Sequence, residues 1–93
     1  MANYKLSELA KKDLIRIHEY GARNFGAARA EKYFLAFFDR FEEIAQRPYS
    51  FEDVSYIASG YRRCVSGVDT IYFRVENESV EIMTIIGRQE FKP

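Results

Sequence analysis

Tryptophan is absent from this 93-residue sequence, cysteine occurs once, proline twice and glycine five times. Each shortage excludes something. A lone cysteine, Cys64, has no partner for an intramolecular disulfide, so a disulfide-stapled scaffold is ruled out and a reducing cytosol is the expected compartment. With so little proline and glycine, the chain is neither a linker nor a fibrous repeat. No apolar run approaches the roughly 20 residues that a membrane span requires, and the opening MANYKLSELAKKDL lacks the apolar stretch of a secretory signal. Charge of one sign is missing too: 14 basic and 14 acidic side chains cancel. A protein that binds nucleic acid by neutralising phosphates carries a basic excess, so neither direct nucleic-acid binding nor a membrane partner is expected.

What is present in quantity is apolar and aromatic. Hydrophobic residues make up 47% of the chain and charged residues 30%, the composition of a folded protein, and the length suits one domain spanning residues 1–93. Seven Tyr and eight Phe are many for so small a core, so some of these rings are expected at a surface, as parts of an interface.

The pattern places helices first and strands afterwards. Asn3 to Leu6 reads as a short opening strand, and Ser7 as the N-cap of a first helix. Ala10, Leu14, Ile17 and Gly21 recur at the helical period, with Lys12, Arg16, Glu19 and Arg23 opposed to them. Asn24, Phe25 and Gly26 break the helix. A second helix runs from about Ala27 to Gln46, with Ala30, Phe34, Phe37, Phe41 and Ile44 on one stripe and Tyr33, Phe38 and Ala45 widening it. Pro48 marks its end, because the residue before a proline is pushed out of the helical region. Beyond it the period becomes two. Tyr61 to Val65 reads as a strand, and Ile71 to Val75 and Val80 to Ile86 as a hairpin turning at Glu76-Asn77-Glu78. The predicted fold is α+β: an N-terminal strand and a two-helix hairpin packed on a small antiparallel β-sheet of three to four strands. If Ile71, Phe73, Val75, Val80, Ile82 and Ile86 face the helices, Tyr72, Met83 and Ile85 face the other way, where nothing in the chain remains to cover them.

This order of elements, together with the stretches YKLSELAKKDLIRIHEYGARNFG, AEKYFLAFFDRFEEIAQRP and GYRRCVSGVDTIYFRVENESVEIMTIIGRQ, resembles the ParE branch of the RelE/ParE toxin superfamily, from Tyr4 to about Gln89. The most specific features are Leu6-Ser7, Ala10, Asp13-Leu14, the Phe25-Gly26 break, and Gly60-Tyr61-Arg62 followed by Ile71-Tyr72-Phe73-Arg74-Val75. The resemblance implies a toxin that poisons a type II topoisomerase, usually DNA gyrase, by binding it, and that is silenced in a hetero-oligomer by an antitoxin of the ParD type. It departs from the family at Asp69 and Gly87, where many relatives carry histidine, and those departures bear on the identity of the target.

Two other functions compete. An mRNA-cleaving toxin of the RelE type needs a general base, a general acid and cations around the phosphate. The sheet half offers Arg62, Arg63, Arg74 and Arg88 but no histidine, and no lysine before Lys92. A toxin-like binding module without activity is the third class, motivated by Asp69 and Gly87. For the protein-binding toxin, Arg62, Arg63 and Arg74 are candidate target contacts through charge-assisted hydrogen bonds to acidic side chains. Arg88 joins them because the resemblance associates the C-terminal segment with toxicity. Tyr72, Met83 and Ile85, with Tyr33 and Phe37 of the second helix, are the candidate antitoxin contacts. His18 is the only histidine and has no ligand cluster around it, so no metal and no cofactor are expected. Cys64 reads as a packed strand residue.

Overall fold

The computed structural model describes residues 3–87. Strand β1 (Tyr4–Leu6) leads into helix α1 (Glu8–Phe25) and helix α2 (Ala27–Gln46). A 3-10 turn (Pro48–Ser50) follows, and then strands β2 (Glu52–Asp53), β3 (Tyr61–Ser66), β4 (Asp69–Glu76) and β5 (Ser79–Gly87). The five strands form one sheet in the order β1-β5-β4-β3-β2. β1 runs parallel to β5, and every other neighbouring pair is antiparallel.

Local chemistry sets the helix ends. Ser7 is extended, and its hydroxyl accepts a hydrogen bond from the Ala10 amide at 3.0 Å, capping α1. Gly26, at φ +92°, is the only residue between the helices. Its amide donates to the Ala22 carbonyl and its carbonyl accepts from the Ala30 amide, so it serves both helix ends and folds α2 back on α1. The apolar stripes then meet the sheet. Leu14, Ile17, Phe37, Phe41 and Ile44 pack with Ile71, Phe73, Val80, Ile82 and Ile85 in one core. Phe37 and Phe41 lie with ring centroids 6.3 Å apart, and Phe51 meets Phe73 edge-on at 5.9 Å, so many of the rings are indeed interior.

Two hairpin turns link the long strands. Asn77 and Glu78 both have positive φ, 53° and 63°, the geometry of a two-residue type I′ turn between β4 and β5. Between β3 and β4 the loop is Gly67-Val68, with Gly67 at φ +63°.

Strand β5 carries a bulge. Phe73 pairs with Ile82, whereas Tyr72 pairs with Thr84, so Met83 is an extra residue. The inserted residue shifts the alternation by one. Ile85 is therefore 0% exposed and faces the helices opposite Ile71, and Ile86 takes the outward side. The expectation that Ile85 is uncovered and Ile86 buried is thus corrected by one residue of register.

The bulge is tied to α1. β1 accompanies β5 only as far as Ile82, and beyond that point side chains of the first helix take over the strand's edge. The Ser7 hydroxyl donates to the Met83 carbonyl at 2.7 Å. The Asp13 carboxylate accepts from the Ile85 amide at 2.9 Å and from the Thr84 hydroxyl at 2.7 Å. Arg16 donates to the other oxygen of Asp13 at 2.8 Å. Asp13 thus does for β5 what a neighbouring strand's carbonyl would do.

Candidate partner-binding site

The helices cover one face of the sheet, and among the described residues no helix or strand covers the opposite face. The two faces divide the arginines. Arg62 pairs with Phe73 across the β3–β4 ladder and so lies on the helix side, whereas Arg63 pairs with Tyr72, and Arg74 with Tyr61, on the outer side. Arg62 donates to the Phe51 carbonyl at 2.8 Å, sits 3.6 Å from Asp53 and stacks its guanidinium 5.0 Å from the centre of the Tyr49 ring. Arg63 is held by Glu52 at 2.8 Å, which keeps its pKa above the ordinary value. Arg74 is held by Glu81 at 3.1 Å and Glu76 at 3.2 Å, and Glu81 is the main cause of its own raised pKa. Adjacent strand residues point to opposite faces, so the three do not form one cluster. Arg88 lies outside the described residues.

The apolar part of the outer face lies at the other end of the strands. Val65, Val68, Thr70, Tyr72 and Ile86 line a depression of about 250 Å³. Val65 is 57% exposed and Val68 59%. Of the candidate antitoxin contacts, Tyr72 is in this depression, and Met83 is half-buried at the bulge. Phe37 and Ile85 are wholly enclosed by the core and present no surface. For Phe37 the reason is its place in the middle of the α2 stripe, against α1 and the sheet at once.

Tyr33 lies elsewhere, at the β3–β4 turn. Its hydroxyl is 2.9 Å from the Ser66 carbonyl and 2.6 Å from Asp69 Oδ2, and it accepts from the Val68 amide at 3.2 Å. Asp69 is 1% exposed, and Oδ1 has no hydrogen-bond partner. Burial raises its pKa, against the opposing effects of the Tyr33 hydrogen bond and the Arg16 charge. Burial also raises the Tyr33 pKa, reinforced by Asp69. Above this turn, Ile17, Tyr20, Phe25, Ala30, Tyr33 and Val68 wall a half-open cleft of about 410 Å³, with Asp69 and Arg29 as its charged side chains.

Beside this geometry stands a family match. A family model described as ParE toxin of type II toxin-antitoxin system, parDE, covers residues 4–90. The chain belongs to that family. Toxin ParE1 of Caulobacter vibrioides is 34% identical over 86 residues, which span 92% of this chain and 88% of that one. The fold recurs in a chain of the chromosomal ParDE system of P. aeruginosa, with a TM-score of 0.82 at 19% identity over 94% of this chain and 96% of that chain. It recurs also in the RelBE2 toxin-antitoxin complex of Mycobacterium tuberculosis, with a TM-score of 0.71 at 14% identity over 94% and 98%.

This ParE-family chain holds no group of three or more His, Cys, Asp and Glu placed to bind a metal ion among its described residues. No helix of the described residues is long and apolar enough to cross a membrane. His18 packs edge-on against Phe34 at 5.2 Å, and the buried Cys64 thiol has its pKa pushed up by burial, away from the reactive thiolate. The sequence singled out Asp13 only as part of the Asp13-Leu14 pair in the family resemblance, with no role for its carboxylate at the β5 edge. Nor did it join Tyr33 to Asp69, since the contact spans 36 positions.

Proposed function

We propose that this ParE-type toxin acts by binding DNA gyrase, without catalysis of its own, and that a ParD-like antitoxin silences it in the cytoplasm by covering its exposed apolar surface in a hetero-oligomer. The observation that carries this reading is the pairing of each described sheet arginine with a carboxylate. A ribonuclease of the RelE type would need such cations free to meet a phosphate and a titrating group beside them. Here their charge is already committed, and the only histidine is on the first helix against a phenyl ring.

Arg63 and Arg74 with their carboxylate partners make a mixed-charge patch, suited to exchanging ion pairs with a protein target. Arg62 belongs to a separate patch with the exposed Tyr49. Arg88 completes the proposed target contacts. For the antitoxin, the depression around Tyr72, with Met83 at the bulge and Tyr33 at the turn, is the proposed docking area. An amphipathic helix or added strand would bury the exposed Val65 and Val68 there.

Induced expression of the full chain in bacteria tests this reading. Growth arrest with intact reporter mRNA, relieved by co-expression of a ParD-like antitoxin, is the expected result. Cleaved mRNA would favour the ribonuclease, and unimpaired growth would mark a module without activity.

A further inference from the structure

Strand β5 has two ways to pair beyond Ile82. Up to that residue its pairing with β1 and β4 is regular, and the extra residue Met83 changes only the partners that follow. With the bulge, Thr84 lies opposite Tyr72, Ile85 opposite Ile71, Ile86 opposite Thr70 and Gly87 opposite Asp69. Without it, each of these β4 residues would meet the residue one place earlier: Met83 at Tyr72, Thr84 at Ile71, Ile85 at Thr70 and Ile86 at Asp69. Isoleucine stands at both 85 and 86. Either pairing therefore sends one isoleucine toward the helices, and the hydrophobic pattern alone does not choose between them.

The difference falls on Thr84. In the continuous pairing its side chain would enter the core against Ile71, at the place now held by Ile85, which is 0% exposed. A hydroxyl there would have to find a partner among apolar side chains, and a buried hydroxyl without one is costly. With the bulge, the hydroxyl instead donates to Asp13 Oδ2 at 2.7 Å, and Ile85 fills the core. The acceptor is held in place, since Asp13 is buried on α1 and its other oxygen receives Arg16. The bond from the Ile85 amide to the same carboxylate does not discriminate, because a residue shifted into that place would offer an amide too. We propose that the hydrogen bond between Asp13 and Thr84 selects the register of β5, and with it the residues that the outer face offers to a partner. The bulged register sets Ile86 beside Val65 and Val68 in the depression, whereas the continuous one would set Ile85 there and Met83 opposite Tyr72. This selection goes beyond the antitoxin reading and holds whichever partner covers that face.

Nuclear magnetic resonance on the full 93-residue chain reads the register directly. Residues opposed in an antiparallel pair have Cα atoms about 4.5–5.5 Å apart and give cross-strand proton contacts. The parent should show Thr70 against Ile86 and Tyr72 against Thr84. Thr84→Val keeps the shape of the side chain and removes the hydroxyl, so the contacts of its main set of signals should move to Thr70 against Ile85 and Tyr72 against Met83. Thr84→Ser keeps the hydroxyl and should keep the parent contacts. Parent contacts alone in Thr84→Val, or moved contacts in Thr84→Ser, would overturn the proposal. Should Thr84→Val not fold, the exchange Thr84→Ile with Ile85→Thr conserves composition and supplies an isoleucine where the continuous pairing needs one. Moved contacts in that chain support the selection by Thr84, and parent contacts overturn it.

Discussion

The Tyr33 hydroxyl lies 2.6 Å from Asp69 Oδ2 and 2.9 Å from the Ser66 carbonyl, yet it has one proton to give. That proton is shared between the two acceptors, and the Val68 amide donates to the Tyr33 oxygen. Burial raises the Asp69 pKa, against the opposing effects of the Tyr33 hydrogen bond and the Arg16 charge. In the unfolded chain Asp69 titrates near its ordinary value of 3.8, below its folded value. Its contribution to stability is therefore complete below that pH and is lost as the pH climbs through the raised value. Asp69→Asn removes this slope. Urea midpoints across a pH series should show the parent losing stability relative to the variant as pH rises. A difference that grows in the parent's favour would mean that Asp69 is held charged.

Removing the hydroxyl tests the same hub by another route. Tyr33→Phe leaves the Ser66 carbonyl, the Val68 amide and Asp69 without their shared partner, and should cost about 2 kcal/mol in urea unfolding. A loss within a few tenths of a kcal/mol would mean that water serves these groups equally well.

Gly67→Ala should be worse than an ordinary left-handed substitution. Its φ of +63° costs a side chain about 1–2 kcal/mol. The added carbon would also meet the Tyr33 ring at 2.6 Å, so a loss of about 3 kcal/mol is expected. Gly60→Ala is the control: its φ is +80° but the added carbon meets nothing within 4 Å, so only the backbone term of about 1–2 kcal/mol applies. Equal losses would contradict the account of the turn.

Asp13→Ala should destabilise by about 2–3 kcal/mol, because the Ile85 amide at a buried strand edge loses its acceptor. Hydrogen exchange reads this locally. The Ile85 amide should lose protection in the variant while amides of the β3–β4 ladder retain theirs.

These positions also explain how much was legible in the sequence. Helix ends were readable because Ser7, Gly26 and Pro48 act through local chemistry. The hairpin at Asn77-Glu78 was readable because the strand period stops there. Ile85 was not, since one bulged residue at Met83 reverses the alternation and no side chain announces a bulge. β2 is only two residues long and carries no period at all. The grouping of Arg62 with Arg63 and Arg74 ran against the period-two rule, which places Arg62 on the opposite face from Arg63. The Tyr33–Asp69 contact was out of reach because it depends on how two distant elements pack.

On the outer face, Tyr72→Glu and Val65→Glu should each weaken the affinity for a ParD-like antitoxin at least tenfold, because each puts a charge into a depression that the partner would desolvate. Unchanged affinity in titration calorimetry, with an unchanged fold, would move the docking area away from this depression.

The central claim is that the chain acts on gyrase by binding. Titrating the purified toxin into a gyrase supercoiling reaction tests it most directly. Inhibition at micromolar toxin, with cleaved DNA accumulating, is the predicted result; undiminished supercoiling without cleaved DNA would contradict it.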